Sequence, residues 1–143
     1  IPCTCTANEI YRYQKKLSGP VLDRIDIHIT VGRVEHKNLL KKSEESQTKA
    51  LRDRVLKARK IQKNRSSRLN SKLTNKELKQ IIDIDEDAEL LLNTAANSMK
   101  LSARSFIKTL KVARTIADLE NSEKVDKQHI AEALQYRPKT IKI

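Results

Sequence analysis

The run Ile25-Asp-Ile-His-Ile-Thr-Val31 alternates apolar and polar residues, and it is the only clear stretch of this kind in the chain. The alternation puts Ile25, Ile27, Ile29 and Val31 on one face and Asp26, His28 and Thr30 on the other, the pattern of a strand with one buried side. A single strand cannot pair its own backbone donors and acceptors and is not stable alone. A self-contained α/β fold is therefore excluded. The sequence predicts that this strand belongs to a sheet whose other members lie upstream.

The remaining pattern is helical. The chain has one Phe, three Tyr and no Trp, so its core has to be built from Leu, Ile, Val and Ala, which pack well in helix bundles. Thr6-Ala-Asn-Glu9 has capping-box form, in which the threonine and the glutamate each satisfy a free amide at a helix start. It predicts a helix to about Leu17, stopped by Ser18-Gly19-Pro20. From about residue 37 to 68 a thin stripe, Leu51, Val55, Ala58 and Ile61, follows the four-and-three spacing of one side of a long helix. Thr74-Asn-Lys-Glu77 is a second capping box, opening a short helix to about Ile82. Asp85 caps a helix through Leu91, Leu92, Ala95 and Met99. Ser102 caps the next, with Phe106, Leu110, Ala113 and Ala117 on one side, and Asp126 caps the last, with Ile130 and Leu134 inward. Four amphipathic helices with short links predict a small bundle over 74–136 that folds without the strand.

Charge is concentrated. The net charge is +12, and residues 33–73 hold fourteen Lys or Arg against four Asp or Glu, while 74–143 nearly balance at twelve against eleven. A local excess of this size attracts phosphate backbones, although a lysine-rich face can also be simply solvated. Lys57, Arg59, Lys60, Lys63, Arg65 and Arg68 are the candidate nucleic-acid contacts. No apolar run reaches ten residues, which argues against a membrane span or a secretory leader and for a soluble, cytoplasmic protein. Cys3 and Cys5, two residues apart, are poorly placed for a mutual disulfide. They could supply half of a tetrahedral zinc site or be two free thiols. His28, His36 and His129 fall in unrelated contexts.

Two stretches, "CTANEIYRYQKKLSGPVLDRIDIHITV" at 5–31 and "LSARSFIKTLKVARTIADLENSEKVDKQHIAEALQYR" at 101–137, closely resemble the C-terminal part of the magnesium-chelatase-like AAA+ ATPases, in particular the bacterial YifB/ComM subgroup. The resemblance implies a mainly α chain in four parts. Residues 1–32 would be the end of the nucleotide-binding α/β core, a leftover helix, a turn and the last strand. Residues 33–73 would be a basic helical connector, 74–136 the helical lid bundle and 137–143 a tail. It also implies that Arg24, in the Pro-Val-Leu-Asp-Arg turn, is an arginine finger reaching in trans into a neighbouring subunit's nucleotide site. A planar, permanently charged guanidinium suits the γ-phosphate there. From the residues alone, Arg24 could equally pair with Asp23 or Asp26 to hold the turn. In "LSAR" the resemblance makes Arg104 the sensor-2 arginine, touching the γ-phosphate in cis or in trans, with Ser102 as N-cap setting Arg104 in the first helical turn, where the positive helix end favours an anion. Arg114, ten residues on, reads as a surface or interface residue.

No G-x-x-x-x-G-K-[ST] loop and no apolar run ending in Asp-Glu occurs. The chain by itself is not expected to hydrolyse ATP, and it reads as a C-terminal piece of a longer protein. ATP and Mg2+ are the cofactors that the resemblance implies for the complete protein. Relatives carry an earlier C-x-C pair that would complete a zinc site with Cys3 and Cys5. The partners implied are further copies in a ring, of six subunits, and DNA, in a motor of the branch-migration type linked to competence. Two alternatives stand beside this: an ATPase driving metal insertion into a porphyrin, and a free-standing helical DNA-binding module.

Overall fold

The computed structural model describes residues 4–16, 19–32 and 46–137; Cys3, Leu17, His36, the first part of the basic segment and most of the tail lie outside the described residues. In chain order the elements are α1 (Ala7–Lys15), the single turn α2 (Gly19–Leu22), α3 (Ser46–Ser66), a 3-10 turn (Asn70–Lys72), α4 (Asn75–Ile81), α5 (Glu86–Ser98), α6 (Ala103–Leu119) and α7 (Lys127–Gln135). The expected mainly helical fold is present, and there is no strand among the described residues.

The helix starts follow the side chains that satisfy free amides. Thr6 and Glu9 close a capping box at the start of α1, with the Thr6 amide donating to Glu9 Oε2 over 2.7 Å. Thr74 and Glu77 do the same for α4, and the Ser102 hydroxyl accepts from the Ser105 amide at the start of α6. At α7 the box is completed by a histidine, not a glutamate: Asp126 accepts from the Gln128 and His129 amides, and His129 Nδ1 accepts from the Asp126 amide. Asp85 makes no side-chain cap bond, but Glu86, Asp87 and Glu89 place three carboxylates at the positive end of α5. Three helix ends close through residues with positive φ that are not glycine, Ser67 at 57°, Lys100 at 52° and Asn121 at 60°. At the last two the following amide reaches back to the helix, Leu101 N to Ala96 O and Ser122 N to Ala117 O. A lysine side chain in this region costs about 1 kcal/mol relative to glycine. Lys100→Gly is therefore expected to raise the unfolding free energy by about that amount, and an unchanged urea midpoint would count against a strained C-cap.

The core gathers Leu110, Ala113 and Ala117 of α6, Ile130 and Ala133 of α7, Ala88 and Leu92 of α5, and Leu78 of α4 into one buried cluster, with α7 packed against both α6 and α5. The loops that lead into α5 and α7 are tied by a single parallel bridge between Ile84 and Val125. The Val125 amide donates to the Asp83 carbonyl and the Asp85 amide to the Val125 carbonyl.

The packing adds to several of these expectations. The 25–31 segment has no strand partner among the described residues, as expected of a strand whose sheet lies upstream, and Ile29 and Val31 are 69% and 79% exposed. The stripe on α3 is covered only at its C-terminal end. Ala58 is buried and Ile61 half-buried, whereas Leu51 and Val55 are exposed. Arg65 meets Asp118 near the end of α6, and Ile61 and Arg65 line a shallow pocket with Asn121–Glu123. The earlier turns of α3 thus run past the end of α6, with none of the described chain beneath them. The packed unit also begins before residue 74, because Ala58, Gln62, Asn70 and Leu73 are buried with it. The first helix ends at Lys15, before the expected stop, and Gly19 and Pro20 open the one-turn α2, where the missing proline N–H has no helical partner to lose.

Candidate functional site

Residues 21–28 lie across the start of α6, and the side-chain contacts that hold them there come from Asp23 and Asp26, not from the Arg24 guanidinium. The Asp23 carboxylate accepts from the Ser102 hydroxyl over 2.9 Å and from the Ser105 hydroxyl over 2.7 Å. Arg137, just beyond α7, donates from Nη2 to Ser105 Oγ over 2.8 Å and stands 3.9 Å from Asp23 Oδ1. The Ser105 and Ser102 hydroxyls, helped by the Arg137 and Arg104 charges, hold the Asp23 carboxyl below the ordinary carboxylate range. Lys108 adds a bond to the Arg24 carbonyl and an ion pair with Asp26, and the His28 amide donates to the Tyr136 carbonyl.

The Arg24 side chain is exposed and makes no hydrogen bond or ion pair among the described residues, while its amide closes the turn onto the Val21 carbonyl. Asp23 and Asp26 are engaged elsewhere, so neither supplies the local pairing that would make Arg24 a turn-holding residue. Arg104 is the second residue of α6 and is also exposed. The carboxylate nearest the positive end of that helix is Asp23 itself. Arg104, Lys108 and Lys111 line a cavity of about 620 Å³ together with Val112, Ile116 and Tyr136. The fold therefore brings Arg24 and Arg104, eighty positions apart in sequence, to the same end of α6.

The six basic candidates divide. Lys57, Arg59, Lys60 and Lys63 are exposed on α3, and helical spacing puts Arg59, Lys60 and Lys63 opposite the side that carries Ala58, Gln62 and Arg65. Arg68 is exposed but pairs with Glu77 at 3.4 Å. Arg65 points inward. Its Nη1 meets Asp118 Oδ1 at 2.7 Å and its Nη2 meets Asp118 Oδ2 and Asn70 Oδ1, both at 2.9 Å.

Asp118 is the hub of a buried network that sequence reading missed. It also accepts from Asn70 Nδ2 at 2.7 Å and from Arg114 Nη2 at 2.9 Å, and Arg114 donates to the carbonyls of Ser122 and Glu123. Arg114, expected at the surface, is 1% exposed. Its position on the buried side of α6, beside Leu110, Ala113 and Ala117, with an aspartate four residues on, was the available signal. Burial alone would push the Asp118 carboxyl up; the Arg65 and Asn70 donors and the Arg114 charge outweigh it and hold the carboxyl below its usual range.

Cys5 is an exposed free thiol, and the described residues contain no group of three or more His, Cys, Asp or Glu arranged to hold a metal ion. His129 is committed to Asp126 and Glu120. The described residues do not make a zinc site by themselves. None of the described helices is long and apolar enough to cross a membrane.

The described residues form a helical bundle of the lid type, whose central helix carries a docked turn with Arg24 at its N-terminal end. The comparisons then place the chain: the family described as "Magnesium chelatase, subunit ChlI C-terminal" matches residues 45–137 and "Magnesium chelatase, subunit ChlI" matches residues 1–39, so the chain belongs to the magnesium-chelatase-like AAA+ family. It is 38% identical over 130 residues to competence protein ComM of Haemophilus influenzae, covering 90% of this chain and 26% of that protein. It is 34% identical over 134 residues to the uncharacterized protein YifB of Escherichia coli, covering 93% of this chain and 26% of that protein. An uncharacterized protein of Mycobacterium bovis is 33% identical over 139 residues, covering 94% of this chain and 27% of that protein. The chain thus spans about a quarter of the length of these curated relatives.

Proposed function

We propose that this chain is the lid and finger-bearing part of a ring-forming AAA+ ATPase that acts on DNA, a motor of the branch-migration type. In this reading Arg24 is a finger acting on the nucleotide of the neighbouring subunit and Arg104 is the sensor-2 arginine. ATP and Mg2+ would be held mainly by a phosphate loop and acidic pair supplied outside these residues. The observation that carries the reading is the exposed Arg24, without a partner among the described residues, on a turn already fixed by Asp23, Lys108 and Arg137. A guanidinium presented in this way is free to meet an anion from another molecule, and its planar fork suits phosphate oxygens.

DNA is the favoured polymer because Lys57, Arg59, Lys60 and Lys63 are exposed on α3 with no anionic side chain among the described residues paired to them. Arg65 does not belong to that surface, since Asp118 and Asn70 occupy its donors. The chain should bind single- or double-stranded DNA weakly and without sequence preference, with affinity falling steeply as salt rises. Replacing Lys57, Arg59, Lys60 and Lys63 by glutamine should flatten the slope of log affinity against log salt by about 0.7 to 0.9 for each phosphate that is no longer neutralised. Absence of binding at low salt, or an unchanged slope in the quadruple variant, would remove the DNA surface. In the complete protein, stimulation of ATP turnover by DNA supports the motor, whereas dependence on a porphyrin and a metal ion would assign the chain to metal insertion. Weak binding by each subunit would be multiplied around a ring through effective concentration.

A further inference from the structure

Arg137 is the least expected member of the cluster at the start of α6. It lies just after α7, only 3% exposed, and the one carboxylate close to its guanidinium among the described residues is Asp23, at 3.9 Å. Nη2 donates to Ser105 Oγ, Nη1 reaches the Ile25 carbonyl at 3.4 Å, and Nε is buried without a partner. Ser105 accepts from Arg137 and donates to Asp23, so the hydroxyl relays the arginine to the carboxylate. Residues 23 and 25, on either side of Arg24, are thereby fastened to one side chain, and the Arg24 carbonyl is fastened to Lys108. Removing Asp23 would leave Arg137 a buried charge with no close counter-charge, so the contacts are mutually dependent.

We propose that Arg137 is a positioning residue for Arg24, and that Arg137, Ser105 and Asp23 form a latch which makes the finger turn move as one piece with the α6 end that carries Arg104. The proposal rests on the finger reading of Arg24. Its consequence is that a change of lid position on the binding or loss of nucleotide is delivered to the neighbouring subunit through Arg24 without an intervening hinge. A finger has to meet a developing charge within a fraction of an ångström, and a displacement of about 1 Å costs about 10²-fold in rate.

The test uses the complete ATPase with Asp23→Asn, Arg137→Gln and Arg24→Ala. Asp23→Asn changes a half-exposed turn residue outside the bundle core, so it remains informative if Arg137→Gln fails to fold. Asp23→Asn and Arg137→Gln should each lower kcat about 10²-fold with KM for ATP unchanged. Neither should lower turnover further when added to Arg24→Ala. Each should regain turnover when mixed with a subunit that lacks the phosphate-loop lysine but carries an intact finger, because the defect is delivered in trans. Full turnover by Asp23→Asn beside an inactive Arg24→Ala removes the latch and leaves the finger standing. Losses that multiply with Arg24→Ala, or that mixing does not restore in co-assembled rings, also overturn it. Full turnover by Arg24→Ala removes the finger reading itself.

Discussion

Arg24→Ala is expected to cut ATP turnover of the complete ring by about 10³- to 10⁵-fold while leaving nucleotide affinity and ring assembly close to wild type. The loss belongs in kcat because the guanidinium would meet charge that redistributes only as the γ-phosphoryl transfers, not in the bound ground state. The structure sharpens the expectation. The side chain is exposed and has no partner among the described residues, while Asp23 and Asp26, the neighbours that could have made it structural, are bonded to Ser102, Ser105 and Lys108. The same substitution should therefore move the unfolding free energy of the chain by no more than about 0.5 kcal/mol, as for other surface positions. Because finger and nucleotide would sit on different subunits, mixing Arg24→Ala with a phosphate-loop lysine variant, also inactive alone, should restore turnover wherever an intact finger faces an intact site. A variant that lost stability or assembly, or co-assembled mixtures that stayed inactive, would return Arg24 to a structural role.

Asp118→Ala should be the most destabilising single change in the bundle, by about 3 to 5 kcal/mol. That is a large share of the about 5 to 15 kcal/mol available to a small domain. The aspartate neutralises Arg114, which cannot reach water, and orients Arg65 and Asn70; Arg65 is 22% exposed and can turn outward, so most of the loss falls on Arg114. Urea unfolding followed by circular dichroism reads the effect, and a shift within about 0.5 kcal/mol would show that the network adds nothing. A chain starting near Ser71 removes Arg65 and Asn70 together and should melt below one starting at Ser46, although the caps and apolar spacing of 74–136 are intact in both. The pH dependence follows from the same group. Its folded-state carboxyl titrates below the unfolded value of about 3.9, so the stabilisation is complete above that value and is lost as pH falls through the lower, folded one. Asp118→Asn should flatten the acid limb of the stability curve, and an unchanged limb would assign acid sensitivity to other carboxylates such as Asp23.

What could be read from sequence was whatever depends on neighbours a few residues away. The capping pairs at Thr6, Thr74, Ser102 and Asp126, the apolar side of α6 and the exposed basic side of α3 each follow from spacings of three or four residues, and the structure carries them. Arg24 and Arg104 were picked out by resemblance, and the geometry adds that they share one end of a helix. Beyond that range, period and composition carry no information about which surfaces meet. Whether the alternating run 25–31 becomes a strand depends on a ladder partner, and without one its isoleucines stay in water. Whether a cation is free or buried depends on the element packed over it, which is why Arg65 left the basic surface and Arg114 left the exterior. Asp118 meets Asn70 and Arg65 from 48 and 53 positions away, and in the latch Asp23 meets Ser102 and Ser105 from 79 and 82 positions away and Arg137 from 114. The local sequence determined the helices and their caps; the tertiary structure decided which charges they would enclose, because the cost of burying a charge is set by whatever partner the fold brings to it.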